Sequence, residues 1–457
     1  MKNKSFLLFL KLLVIGGLAL IILISLYMVD GVISSRQAYR DQAVASISAS
    51  YASQQRILGP LFVQPYRQVI EDHTTEKGVD KITTHTIDGS FTVFPRSLTV
   101  NGSLHPSVRR HGLYRVPVYE FQGTLKGHVD VPVSTLTGKV TYGVPYLAFT
   151  VKDARGIVGR PTLTLNGAPA PVLGATLSSA EQDNPVHPDL LWGTNLRSIL
   201  PQDAGKPSSF DFQLTLTLAG TQMLEIVPVA DSNTLELSST WAQPLFAGQF
   251  LPRTREISSL GFHALWEISS LASATQQQLL ANAPQNVDVI EVNLTSAIDP
   301  YTLSDRAVKY GILFVFLTFG GFFLFEMGKR MLIHPVQYLL VGFCLSVFFL
   351  LLISFSEHLS FGLAYLISSA ACIGLITYYL VFVLRSLSYG LAFGAILTTL
   401  YAAIYGLLIS EDNALLLGSL LLFGVVAIVM IVTRKVDWYQ NTANPSPPDP
   451  LEAPKAP

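Results

Sequence analysis

The amino-acid sequence predicts an α-helical membrane protein with six transmembrane helices plus a large β-rich extracytoplasmic domain between helices 1 and 2. Three observations carry this. Residues 310–432 form five apolar runs separated by short polar breaks. A further apolar run, residues 6–28, lies behind Lys2 and Lys4 at the N-terminus. Between them, over residues 61–300, the texture changes to short alternating runs punctuated by Gly, Pro, Asn and Asp. The composition agrees: 13% of residues are charged, against about 25% in soluble domains, and the mean hydropathy is +0.42.

A helix of roughly 20 apolar residues spans the hydrocarbon core of a bilayer. Only helices or closed barrels satisfy their backbone groups there. Barrel strands alternate with period two, whereas these runs are apolar all round. The first run is the N-terminal anchor, residues 1–29. A cleaved signal peptide has a shorter apolar region, about 7–15 residues, and a small-x-small cleavage site. Here the run ends in Tyr27-Met28-Val29-Asp30. Residues 34–55 lack Pro and Gly, are rich in Ala, Ser, Gln and Arg, and continue the helix outward until Ile57-Leu58-Gly59-Pro60 breaks it.

The second domain is residues 30–300. Its alternating runs at 82–87, 91–94, 116–121, 146–151, 210–218, 234–237 and 287–294 are dominated by Thr and β-branched residues, a strand signature. They predict roughly 240 residues of mostly antiparallel sheet, as a sandwich or an open, elongated architecture. Two short helices are expected, over 188–200 and 268–281. Residues 156–209 read as loop-rich.

The five remaining runs, 310–325, 336–355, 361–384, 391–409 and 414–432, make a transmembrane domain at 301–435. Lys and Arg concentrate in cytoplasmic loops. That rule puts the N-terminus, Lys329/Arg330, Arg385 and Arg434/Lys435 inside. The loops at Glu357-His358 and Glu411-Asp412 hold no Lys or Arg and fall outside. Arg36, Arg40, Arg306 and Lys309 break the rule, but they flank a long domain, and long domains translocate largely regardless of charge. The tail, 436–457, is Pro/Ala-rich and reads as disordered and cytoplasmic.

Little conventional chemistry is legible. No P-loop, Gly-x-Ser-x-Gly, HExxH or Cys-x-x-Cys motif occurs, and no Asp, Glu, Lys, Arg or His lies at a helix centre. Intramembrane ionisable groups are costly and mark pathways, so the composition argues against a transporter. A formal net charge of −1 argues against a nucleic-acid partner. Both cysteines, Cys344 and Cys372, fall in predicted helices, so the β-region has no disulfide and no cysteine metal site. Glu326 reads as an interfacial ion pair with Lys329 and Arg330, and His334-Pro335 as a helix opening.

Two groups of residues are candidate sites. Glu357, His358, Glu411 and Asp412 occupy neighbouring outer loops, with Asp299 and Asp305 at the same level. Acidic groups with one His suit a divalent cation. The competing and favoured reading is solvated loop ends. Arg255 and Glu256, with Arg253 and beside Phe262 and Trp266, read either as a recognition edge or as a strand pair with a surface ion pair, the second being favoured. No cofactor, metal or catalytic residue is assigned.

Several stretches also resemble one family. They include Leu58-Gly59-Pro60, Pro65-Tyr66, Gly112-Leu113-Tyr114-Arg115-Val116-Pro117-Val118-Tyr119, Asp153-Ala154-Arg155-Gly156-Ile157 and Gly261-Phe262-His263-Ala264-Leu265-Trp266-Glu267. In the membrane part come Arg306, Lys309-Tyr310, Phe325-Glu326, His334-Pro335-Val336-Gln337-Tyr338, Ser356-Glu357-His358 and Asp437-Trp438-Tyr439. In order and spacing they are similar to the CreD family of bacterial inner-membrane proteins, associated with cell-envelope integrity. Residues 157–209 depart from the family pattern, and nothing is carried over there. The resemblance implies control by the CreBC two-component system, colicin tolerance and a response to β-lactams; it brings no biochemical activity. The function expected is a non-enzymatic envelope protein. Its partners are the lipid bilayer and an envelope component or membrane protein. A transporter or channel component, and a membrane-bound envelope enzyme, are the alternatives.

Overall fold

The computed structural model describes residues 4–76, 79–174, 194–201, 205–281, 287–295, 300–329, 333–410 and 414–434. The chain divides into two compact units, Met1–Tyr39 with Ile298–Pro457, and Arg40–Ala297. The helix α1, Lys4–Ser50, contributes residues to both.

The second unit is built from strands β1 Gln55–Glu76, β2 Val79–Val93, β3 Ser97–His111, β4 Tyr114–Val131, β5 Lys139–Tyr142, β6 Tyr146–Val151, β7 Ile157–Leu165, β8 Ala168–Ala170 and β9 Leu173–Gly174. It continues with β10 Thr194–Ile199, β11 Ser208–Thr221, β12 Met223–Ile226, β13 Ser232–Ser239, β14 Leu245–Gly248, β15 Thr254–Ser258, β16 Gly261–Ser269 and β17 Ile290–Asn293. One sheet runs β14-β17-β12-β1-β6-β10-β9, with β2 and β5 also on β1; the other runs β15-β16-β13-β3-β4-β11-β7-β8. Pairing is antiparallel except at β1–β12 and β3–β13.

β11 shows why these segments are strands. Phe210, Phe212, Leu214, Leu216 and Leu218 are buried while Asp211, Gln213 and Thr215 between them are exposed. Period-two burial gives a sheet one wet and one dry face. Residues of both sheets share one core, with Phe62 of β1 and Phe210 of β11 in ring contact at 6.4 Å.

The expected helix over 188–200 is corrected where it is described: Thr194–Ile199 is β10, paired with β6. The sheet supplies backbone partners that a short isolated helix lacks, and pairing overrides local propensity. Within 268–281 a 3-10 turn, Ser270–Ala272, precedes α2, Thr275–Leu280. Residues 157–165, expected as loop, are β7, a neighbour of β11.

The outward helix also ends before its expected break. α1 stops at Ser50, and Gly59-Pro60 lies inside β1, at a register shift between Leu58 and Leu61. The cause lies in the Asp153–Ile157 motif. The Arg155 guanidinium donates to the carbonyls of Ala49 and Ser48, the orphan acceptors at the end of α1. It also forks onto Asp153 at 2.9 and 2.6 Å. Asp153 accepts the Ser53 N–H at 2.9 Å, and Arg155 holds its carboxyl well below the usual range. A Cβ on Gly156 would stand 2.3 Å from the Ala219 carbonyl oxygen, so the turn needs glycine.

The first unit comprises α1 with α3 Pro300–Lys329, α4 Pro335–Ser356, α5 Phe361–Val383, α6 Leu387–Ile409 and α7 Ala414–Thr433. Among the described residues, α1 and α3 to α6 are each long and apolar enough to cross a membrane. α1 is part of the bundle. Ala19, Ile22, Leu26, Val29 and Ile33 form a buried seam spaced three or four apart. Ile22 sits against Gly342 of α4 so closely that a Cβ there would be 2.5 Å from it. Small residues of this kind let membrane helices approach. Phe314, Phe348, Tyr365 and Tyr401 interlock at 4.6 to 6.5 Å in the interior. α4 opens on a capping box: His334 accepts the Val336 N–H, and Gln337 accepts the His334 N–H.

Candidate functional site

The outer-loop candidates separate. Glu357 caps the C-terminus of α4, and its side chain is only 7% exposed. It is paired with Arg36 of α1 at 3.3 Å and accepts the Tyr301 hydroxyl of α3 at 3.5 Å. His358 is exposed. Asp305 pairs with Lys309 one turn along α3, at 2.7 Å. Glu411, Asp412 and Asp299 lie outside the described residues. No group of three or more His, Cys, Asp or Glu side chains suited to a metal occurs among the described residues. Solvation therefore describes His358 and not Glu357. The docking of α1 brings Arg36 to that carboxylate and covers it.

The opposite end of the same helices carries a second ion pair. Glu326 is 7% exposed and is paired with Lys11 of α1. It also accepts the Tyr338 hydroxyl at 3.1 Å and the Ile333 N–H at 3.2 Å. Its described cationic partner is thus Lys11, far away in sequence; Arg330 and the side chain of Lys329 lie outside the described residues. Lys11 and Arg36 are about 25 positions, or roughly 38 Å of helix, apart, close to the thickness of a bilayer with its interfaces, about 40 Å.

In the β-rich unit, Arg255 and Glu256 lie on β15, exposed throughout and the terminal strand of its sheet. β15 pairs with β16, setting Arg255 against Ala264 and Glu256 against His263, and Arg253 is ion-paired with Glu267. Trp266 does not share this edge: it is 1% exposed, donates its indole N–H to the Phe250 carbonyl at 3.1 Å, and meets the Phe246 ring edge-on at 5.5 Å.

Sequence reasoning missed a polar constellation on the outer face of β4 and β11. Register sets His128 opposite Asp211, and Asp130 opposite Ser209. His128 Nδ1 lies 2.7 Å from Asp211; its Nε2 lies 3.0 Å from Asp130 and 3.0 Å from the Ser209 hydroxyl. Arg96 reaches Asp130 at 3.2 Å. A groove of about 390 Å³ beside it is lined by Thr99, Lys126, His128, Thr164, Asp211 and Gln213, among others. The signal was His-x-Asp and Ser-x-Asp on alternating strands, visible only once the register is known.

Ser209, His128 and Asp211 have the spacing of a nucleophile, base and orienting acid. Asp130, however, occupies the ring nitrogen that would take the serine proton. With a carboxylate at each nitrogen, the imidazolium form, donating twice, is favoured. Asp211, and then Asp130, accordingly raise the His128 pKa above its ordinary value. Its stabilising contribution is present in full below the unfolded pKa of about 6.5, and is lost as pH rises through the folded value. Asp130 is shifted down, by Ser209 and then His128, so its contribution disappears as pH falls below about 4. The opening free energy read by hydrogen exchange across 126–131 and 208–213, after the intrinsic base-catalysed rate is divided out, should therefore fall between pH 6 and pH 8, and His128→Gln should abolish that fall. Equal pH dependence in the variant would refute the assignment.

A carboxylate pair also exists in this unit. Arg56 forks onto Glu225 at 2.6 and 2.9 Å, and Glu225 lies opposite Glu291 on β17. Burial, and then Glu225, raise the Glu291 pKa. Arg56 already neutralises one of the two carboxylates.

The comparisons with known proteins bear on the whole chain. The family model described as "Inner membrane protein CreD" matches residues 7–439. The Inner membrane protein CreD of Escherichia coli K12 is 34% identical over 439 residues, 94% of each chain. Among solved structures, an M1 zinc metallopeptidase from Deinococcus radiodurans aligns with a TM-score of 0.24 and 7% identity, over 44% of this chain and 42% of that one. A mutant of the same enzyme aligns at 0.22 with 8% identity, again over 42% of its length. This chain spans less than half of either, and both scores are too low to bear on fold or chemistry.

Proposed function

Because the chain belongs to the CreD family of inner membrane proteins, we propose that it is a non-enzymatic integral membrane protein whose β-rich unit, residues 30–300, works in the periplasm to maintain the cell envelope and to answer envelope stress. Six helices then cross the bilayer, α7 being the sixth, within a membrane domain at 301–435. Both termini, and the tail at 436–457, are cytoplasmic. Control by CreBC, colicin tolerance and a β-lactam response belong to this reading through the family resemblance. The partner of the β-rich unit is an envelope component or another membrane protein.

The observation that carries the reading is the placement of charge in the helical unit. Lys11–Glu326 and Arg36–Glu357 close its two ends, each carboxylate buried against a cation of α1. Between them the buried residues described are apolar, aromatic or uncharged Ser and Thr, with no further buried Asp, Glu, Lys, Arg or His. Transport sites place ionisable groups along the pathway, and here they are paired at the ends. A second reading, a transporter component, draws on a different observation. Ser304, Thr318, Ser346, Ser368 and Thr377 carry buried hydroxyls without a hydrogen-bond partner among the described residues.

Reporter fusions after Gln55 and Ser356 should report the periplasm, and fusions after Arg385 and Gln440 the cytoplasm; a cytoplasmic signal at Gly220 would sink the arrangement. Cells lacking the protein should become sensitive to envelope stress, and the chain without residues 56–290 should reach the membrane yet fail to restore resistance. Full rescue by that truncated chain would move the function into the helices.

A further inference from the structure

The chain's only two cysteines meet in the middle of adjacent helices. Cys344 is the tenth residue of α4 and Cys372 the twelfth of α5. Their sulfurs are 3.4 Å apart. The contact is reciprocal: Cys372 Sγ donates to the Cys344 carbonyl at 3.4 Å, and Cys344 Sγ faces the Cys372 carbonyl at 3.9 Å. Each thiol therefore lies over the other's backbone. Behind them the Tyr401 hydroxyl of α6 touches Cys372 at 3.2 Å. In front, Cys344 forms part of the wall of a groove of about 210 Å³, with Leu340, Val341, Leu375, Ile376 and Tyr379. Leu340 and Leu375 on its rim are exposed on the helix surface, which on the reading above faces lipid.

We propose that Cys344 and Cys372 are a dithiol that is oxidised to an intramolecular disulfide between α4 and α5 by a bilayer-soluble quinone entering this groove. Two S–H bonds break and one S–S bond forms. The two electrons and two protons released reduce the quinone to its quinol. The sulfurs, 3.4 Å apart, must close to about 2.05 Å. A quinone is the acceptor that fits, because the thiols sit at mid-helix in apolar surroundings, where water-soluble oxidants partition poorly and a lipid-soluble ring does not. Cys372 is buried, so Cys344, on the groove wall, is the thiol that meets the oxidant and Cys372 the one that resolves it. The bond would lock α4 to α5 and couple their packing to the oxidation state of the membrane. The proposal rests on α4 and α5 crossing the bilayer; if they do not, the water-soluble oxidant in the test below acts first.

The test uses the full chain in bilayer vesicles. These are treated with a tetrasubstituted benzoquinone carrying a short alkyl tail, or with water-soluble diamide. The protein is then denatured and its free thiols are counted by a maleimide-polyethylene-glycol mass shift. The expected result is loss of both labels together with the quinone, on a monomeric band, reversed by dithiothreitol. Cys372→Ser should keep its one label under the same treatment, which separates pairing from adduct formation. Two labels surviving the quinone, loss that dithiothreitol does not reverse, disulfide-linked dimers, or oxidation by diamide and not by quinone would each overturn the proposal.

Discussion

Trp266→Ala is expected to destabilise the β-rich unit by about 3–5 kcal/mol, the range for removing a fully buried large aromatic side chain. The residue is 1% exposed. Its ring stacks edge-on with Phe246, which in turn meets Phe262 at 5.4 Å, and truncation leaves a cavity among them. It also strands the Phe250 carbonyl that accepts the indole N–H. Arg255→Ala and Glu256→Ala, two strand positions on the exposed β15, should each cost within about 0.5 kcal/mol. Hydrogen exchange of β13 and β16 in the full chain reports the difference, alongside an envelope-stress phenotype. A stable Trp266→Ala protein, combined with a lost phenotype in Arg255→Ala, would restore the recognition edge as one site.

Lys11→Met should be nearly as damaging, for an electrostatic reason. Glu326 would keep its carboxylate at 7% exposure without the cation that offsets its desolvation. Removing one partner of a buried pair costs about 3–5 kcal/mol, whereas replacing both by neutral groups is often close to neutral. The double variant Lys11→Met/Glu326→Gln should therefore recover most of the loss, since Gln can still accept from Tyr338 and Ile333. Protein level in membranes and the temperature of aggregation in detergent measure both. If the double variant is as unstable as Lys11→Met, the pair does not hold α1 in the bundle. If Lys11→Met is as stable as wild type, the expected penalty is absent.

How far the candidate sites could be read from sequence follows from how local each determinant is. β15 and β16 are separated by two residues, Lys309 is one helical turn from Asp305, and such neighbours are visible in the order of residues. Glu357 was not readable. Its partners Arg36 and Tyr301 belong to other helices, and charge placement can orient a loop without saying which helix covers it. The same holds for His128 and Asp211, which are 2.7 Å apart but lie 83 positions apart in the chain. A shift of one residue in the β4–β11 register would turn one of them to the other face of the sheet. The Asp153–Ile157 motif was legible as a resemblance, but only the structure shows that it ends α1.

The sequence by itself determined the long apolar helices and their membrane character, and the strands whose alternation is plain, such as the one over 210–218. Those properties are written in the period and length of apolar runs, and a backbone without water has few ways to satisfy its own groups. It determined family membership for the same reason, since the matching residues keep their order along the chain. Only the tertiary structure decided that α1 is a bundle helix clamped at both ends, that Thr194–Ile199 is a strand, that Trp266 is core, and that Cys344 touches Cys372. Each of these depends on a contact between residues remote in sequence. The free energy of such a contact belongs to the pair, through burial, register and paired charge, and cannot be assigned to either residue before the chain has brought them together.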